Sequence, residues 1–232
     1  MQFNEGIISF TPIPPFPARF ITGPSIIRVI LFCLDVSGSM TRPLKDNIGD
    51  DDKKEFSRLS ISTQYMTEIV DKIYGYKIPS LFGLMTFSNS TDFLCQFTPL
   101  ISEFERKVMN RITTKTVSYI CDSLSIACDE IQKFTIDSNG KPKFPNAIKR
   151  VIVISDNISF DMSKSSYFDI VKKYFQNQII VDSIILSQKR QNKQLAALSH
   201  LTCGVSFHVN DAIKGIHLIN ENAFINIKER QK

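Results

Sequence analysis

The residues of this 232-residue chain best suited to chemistry are Asp35, Ser37 and Ser39, in the run Asp35-Val36-Ser37-Gly38-Ser39-Met40. A carboxylate followed by two hydroxyls at alternate positions can present three oxygens to one point. Oxygen-only donors suit a hard cation such as Mg²⁺, which prefers octahedral geometry and keeps some of its waters. The same residues also suit a plain structural role, in which Asp35 caps the next helix and the serines fill a turn. A second aspartate, Asp156, closes another apolar run, Val151-Ile152-Val153-Ile154-Ser155.

Both aspartates follow the same kind of element. Ile26 to Leu34 is apolar almost throughout, as a strand covered on both faces must be. The pattern returns at 81–87, 150–155 and 179–186, and amphipathic helical stretches lie between, at 56–73, 101–112, 119–134, 163–176, 193–201 and 212–230. In the first of these, Leu59, Thr63, Met66, Ile69, Val70 and Ile73 share one face at helical spacing. Strands separated by such helices require right-handed crossovers. The expected fold is therefore α/β, with a doubly wound, mostly parallel central sheet and helices on both faces. Phe93 to Phe97 follows its neighbour after only the short link Ser88 to Asp92, so it is expected to be the one antiparallel edge strand. In open sheets of this kind ligands bind at the carboxyl ends of the strands, where Asp35 and Asp156 both fall.

Residues 1–25 form a separate arm, with Pro12, Pro14, Pro15, Pro17 and Pro24 interleaved with Phe3, Phe10, Phe16 and Phe20. Proline at that density excludes helix and central strand, and the phenylalanines imply packing against the body. The main domain is expected to span 26–230. A hydrophobic content of 43% with 22% charged residues excludes a disordered chain.

The motif Asp35-Val36-Ser37-Gly38-Ser39 after a long apolar strand resembles the metal-ion-dependent adhesion site (MIDAS) of the von Willebrand factor type A (VWA) domain. Ser118-Tyr119-Ile120-Cys121-Asp122-Ser123-Leu124-Ser125-Ile126-Ala127 is similar to that family's third site segment, with Ser118 in the place of its threonine. Val151 to Asn157 resembles the fourth, an aspartate ending a buried strand. Phe82-Gly83-Leu84-Met85-Thr86-Phe87-Ser88 is similar to its second strand, and Phe97-Thr98-Pro99-Leu100 to the turn after its edge strand. The resemblance covers residues 26–230 in the family's order. It implies a Rossmann-like VWA fold and a site of Asp35, Ser37, Ser39, Ser118 and Asp156 holding Mg²⁺, with Mn²⁺ or Ca²⁺ as alternatives. Thr114 and Thr116 are further hydroxyls near Ser118 that could supply the same ligand. The family's site recognises a partner protein that offers an aspartate or glutamate to the ion; it does not catalyse. The polar loop carrying Asp50, Asp51 and Asp52, together with Asn157, would form a rim selecting partners by charge. The rival expectation is a metal-independent VWA scaffold subunit of a larger intracellular complex, for example a ubiquitin-related one.

Other classes find less support. The three histidines, His200, His208 and His217, all fall late in the chain, away from the serines of the motif. No GxSxG, Walker A or GxGxxG run is present, so a metal-dependent hydrolase is a distant third reading and no enzyme is expected. The net charge of +5 has its whole excess in residues 149–232 and lacks the density and the interleaved aromatics of a nucleic-acid surface. The longest apolar run is too short to span a membrane, and the opening Met1-Gln2-Phe3-Asn4-Glu5 does not read as a signal peptide. Five cysteines, Cys33, Cys95, Cys121, Cys128 and Cys203, without CxxC spacing, read as reduced thiols of a cytoplasmic protein.

Overall fold

The structure, a computed structural model, describes residues 26–44, 56–110, 112–115, 118–156, 166–187 and 193–222. The arm 1–25, the acidic residues Asp50, Asp51 and Asp52, Thr116, Asn157 and the stretch expected to extend the last helix to 230 lie outside the described residues.

Among the described residues six strands form one sheet: β1 (Arg28–Asp35), β2 (Ser80–Phe87), β3 (Thr91–Thr98), β4 (Ile148–Ser155), β5 (Ile179–Ile185) and β6 (Ser206–His208). Their order is β3-β2-β1-β4-β5-β6. Every pairing is parallel except that of β2 with β3, which is antiparallel. The mostly parallel sheet with one antiparallel edge strand is thus present as expected. β6 puts His208 in a strand, as its place between Phe207 and Val209 in the sequence suggests, and extends the sheet beyond β5.

Among the described residues six α-helices cover the sheet: α1 (Arg58–Gly75), α2 (Ile101–Asn110), α3 (Ile120–Thr135), α4 (Tyr167–Gln176), α5 (Gln194–Leu201) and α6 (Ala212–Asn222). Strand alternation sorts the core into two layers. Ile30, Phe32 and Leu34 of β1, with Ile152 and Ile154 of β4, pack under α1, α2 and α6. Leu31 and Cys33, with Val151 and Val153, pack under α3, α4 and α5. Each such side chain, buried in full, contributes about 1.5–3 kcal/mol, which is why the buried run of β1 from Val29 to Leu34 is apolar throughout.

Ser57 starts α1 by accepting the Ser60 N–H at 3.1 Å on its side-chain oxygen. The buried stripe of α1 includes Tyr65, fully buried, where the sequence pattern points to Thr63, which is half-buried. A tyrosine can be buried because its hydroxyl finds a partner: Tyr65 Oη donates to the Ala212 carbonyl at 2.9 Å, fastening α6 onto α1. Next to β1 in the sheet, β4 and β5 share a buried ion pair. Arg150 Nε donates to Asp182 Oδ2 at 2.9 Å and Arg150 Nη2 makes a second bond to the same oxygen. Asp182 Oδ1 accepts the Val205 N–H at 2.8 Å. Next to it, Gly204 lies so close to β5 that a β-carbon there would fall 1.9 Å from the Val181 carbonyl oxygen.

Candidate functional site

The strand order turns at β1, with β2 and β3 on one side and β4, β5 and β6 on the other. Loops from β1 and β4 therefore diverge at their carboxyl ends and leave a crevice between them. Register fixes what lines it. Asp35 lies level with Phe87 of β2, and one step past the Leu34–Ile154 pair it comes level with Ser155 of β4.

Asp35 is 1% exposed. Its Oδ1 accepts the Ser37 N–H at 2.8 Å, closing a tight turn at the end of β1. Its Oδ2 accepts the Ser155 hydroxyl at 2.6 Å and a longer contact of 3.4 Å from Ser118 Oγ. After the turn, Gly38–Thr41 forms one 3₁₀ turn held by buried Met40, and the Ser37 and Ser39 hydroxyls lie 3.1 Å apart. Burial pushes the Asp35 carboxyl above its usual pKa, the Ser155 and Ser37 hydrogen bonds draw it back in part, and the charge of Asp156 pushes it up again.

Ser118 arrives from a different segment by backbone bonds. The Lys115 N–H donates to the Val36 carbonyl at 2.7 Å, and the Tyr119 N–H to the Ser88 carbonyl at 2.9 Å. These two anchors turn the buried Ser118 toward Asp35, whereas Thr114 is exposed. Lys115 Nζ is itself held by Ser90 Oγ at 2.7 Å and by Asp92.

Asp156, the residue after β4, has no exposed surface. A guanidinium faces it: Arg58 Nη1 donates to Asp156 Oδ2 at 2.6 Å, with the two side chains 11% and 0% exposed. Arg58 is placed by a short clamp in which its N–H donates to the Arg42 carbonyl at 2.9 Å and the Leu44 N–H donates to the Phe56 carbonyl at 3.3 Å. Arg58 Nε is buried without a hydrogen-bond partner among the described residues.

The crevice thus gathers Asp35, Ser37, Ser39, Ser118 and Asp156, all named from the sequence. It adds two residues that sequence reasoning missed. Ser155 carries a faint signal, since it directly precedes Asp156 at a strand end. Arg58 carries another, since a cation in the first turn of a helix opposes the helix dipole and calls for a compensating anion. The donor set is two carboxylates and neighbouring hydroxyls, a chemistry that fits a hard divalent cation. Among the described residues no cluster of three or more His, Cys, Asp or Glu side chains is placed to hold a metal ion.

An open, mostly parallel α/β sheet with polar side chains gathered at its turning point defines a protein of the Rossmann-like α/β class. Within that class, residues 30–159, more than half of the chain, match the von Willebrand factor type A domain family, and the chain belongs to it. Solved structures agree on the fold. An aerotolerance-related membrane protein from Bacteroides fragilis is 12% identical with a TM-score of 0.61, over 84% of this chain and 98% of that one. A von Willebrand factor type A protein from Catenulispora acidiphila is 12% identical at a TM-score of 0.61, over 85% of this chain and 42% of that one. Proximal thread matrix protein 1 from the mussel byssus is 14% identical at a TM-score of 0.62, over 88% of this chain and 48% of that one. No curated protein sequence matches the chain.

Proposed function

We propose that this VWA domain is a protein-recognition module of the cytoplasm whose site takes a divalent cation, Mg²⁺ before Mn²⁺ or Ca²⁺, and through it an aspartate or glutamate of a partner protein. The observation that carries the reading is the convergence of Asp35, Ser118 and Ser155, from three separate segments, in hydrogen bonds at one buried carboxylate, with Asp156 beside it. Asp35, Ser37, Ser39, Ser118 and Asp156 would hold the ion. When bound, such an ion supplies an open coordination position for a partner's carboxylate. The chain's own residues set the charge: two carboxylates balance one divalent ion, so no negative excess repels an acidic partner. Catalysis is not part of the proposal, since the histidines lie on α5, β6 and α6, and β5 stands between β6 and β4. The five free thiols fit a reducing compartment.

A second reading, a scaffold that assembles without metal, is favoured by one observation: Arg58 already neutralises Asp156. Calorimetry separates the two. The metal reading expects Mg²⁺ or Mn²⁺ binding by the wild type that is lost in Asp35→Ala, and partner capture abolished by chelator. At a hundredfold excess over Kd the ion should add about 2.7 kcal/mol to stability. Heat-silent titration and capture that survives chelator would establish the scaffold instead.

A further inference from the structure

The site carries its own cation. Arg58 Nη1 sits 2.6 Å from Asp156 Oδ2, on a side chain only 11% exposed. Its Nε is buried and has no hydrogen-bond partner among the described residues, a cost to this arrangement of the guanidinium. Arg58 is also the first residue of α1, where the helix dipole disfavours a positive charge, and among the described residues its ion-pair partner is Asp156. The charge count is decisive. Asp35 and Asp156 contribute two negative charges and Arg58 one positive, so a divalent ion added beside Arg58 would leave a net positive, largely buried cluster. The ion and the guanidinium therefore compete for one carboxylate.

Resting on the metal reading above, we propose that Arg58 is a built-in counter-cation that closes the site in its metal-free state and must leave Asp156 for a divalent ion to bind. The hinge is the clamp between Arg42–Leu44 and Phe56–Arg58, whose backbone bonds set where α1 begins. Ion uptake is thereby coupled to the surface at the α1 N-terminus, beside the crevice. The closed state also explains how two buried carboxylates persist without metal: Arg58 neutralises one of them, and three donors, the Ser37 N–H and the Ser118 and Ser155 hydroxyls, serve the other.

The test is Mn²⁺ and Mg²⁺ calorimetry on the full chain, comparing wild type, Arg58→Ala, Arg58→Gln and Asp35→Ala, with thermal unfolding followed with and without Mn²⁺. Removing the competitor should tighten Mn²⁺ binding about tenfold in Arg58→Ala, lower the unfolding temperature of the metal-free protein, and enlarge the upward shift that Mn²⁺ produces. Arg58→Gln keeps a hydrogen-bond donor without charge, and should show the same tightening if the alanine variant folds poorly. Equal or weaker binding in both Arg58 variants, with binding still lost in Asp35→Ala, overturns the competition while leaving the metal site standing. No binding in any of the four proteins overturns both readings.

Discussion

Replacing Asp182 by alanine should bring the domain close to unfolding. The side chain is 3% exposed and accepts two bonds from Arg150 and one from the Val205 N–H. Removing it leaves a buried guanidinium without its partner, which costs about 3–5 kcal/mol. It also strands a backbone N–H, costing about 1–3 kcal/mol more. The loss of roughly 4–8 kcal/mol compares with a total stability of about 5–15 kcal/mol for a typical domain. Asp182→Asn keeps an acceptor for Val205 and should lose about half as much. Adding Arg150→Met to Asp182→Asn removes the orphaned charge and should recover about 1–3 kcal/mol. The chain contains no tryptophan, so the assay is urea unfolding followed by far-ultraviolet circular dichroism, with the slope checked for constancy across the series. A loss under about 1 kcal/mol in Asp182→Ala would refute the reasoning, because it would mean that water serves Arg150 as well as Asp182 does.

Gly204→Ala should destabilise the domain by about 3 kcal/mol, the upper end for overpacking, because the new methyl meets backbone at β5 that cannot rotate away; a thermal unfolding temperature equal to wild type would contradict this. In native protein at pH 8, a thiol reagent should modify Cys203 quickly, while Cys33, Cys95, Cys121 and Cys128 wait for unfolding. Burial shuts Cys33 and Cys128 off chemically as well as sterically, pushing Cys33 far above the ordinary thiol value and Cys128 up to about 11. Mass spectrometry that finds two or more quickly modified sites would contradict the assignment.

Parts of the fold and site were readable because they are local. Asp35, Ser37 and Ser39 sit on one turn, and their spacing alone brings their oxygens together. Asp156 announces itself by the apolar run before it. Ser155 and Arg58 were not readable because their partners are remote: Ser155 meets Asp35 across 120 positions and Arg58 meets Asp156 across 98. Contacts of that kind depend on strand register and on where α1 begins, which backbone pairing decides. The same holds for strand ends. β4 begins at Ile148, before its apolar run, because the Ile148 N–H already donates to the Ile27 carbonyl at 2.8 Å, and Lys149 turns its ammonium to the Asn177 carbonyl at 2.6 Å. The place of Tyr65 in the core likewise depends on a carbonyl from α6 that periodicity cannot foresee.

The central place of β1 has a consequence for biosynthesis. A nascent chain leaving the ribosome presents β1 early, and β2 can join it once Phe87 has emerged, but the other edge stays open until Ser155 is made. Through that interval an apolar strand offers unpaired amides and carbonyls to any neighbouring chain. Asp35 meanwhile lacks its Ser155 donor, and Asp156 has not yet been synthesised to meet Arg58. The crevice can thus close only once Asp156 has been made, and the half-built sheet before that point is the stage at which a holding chaperone would be needed most.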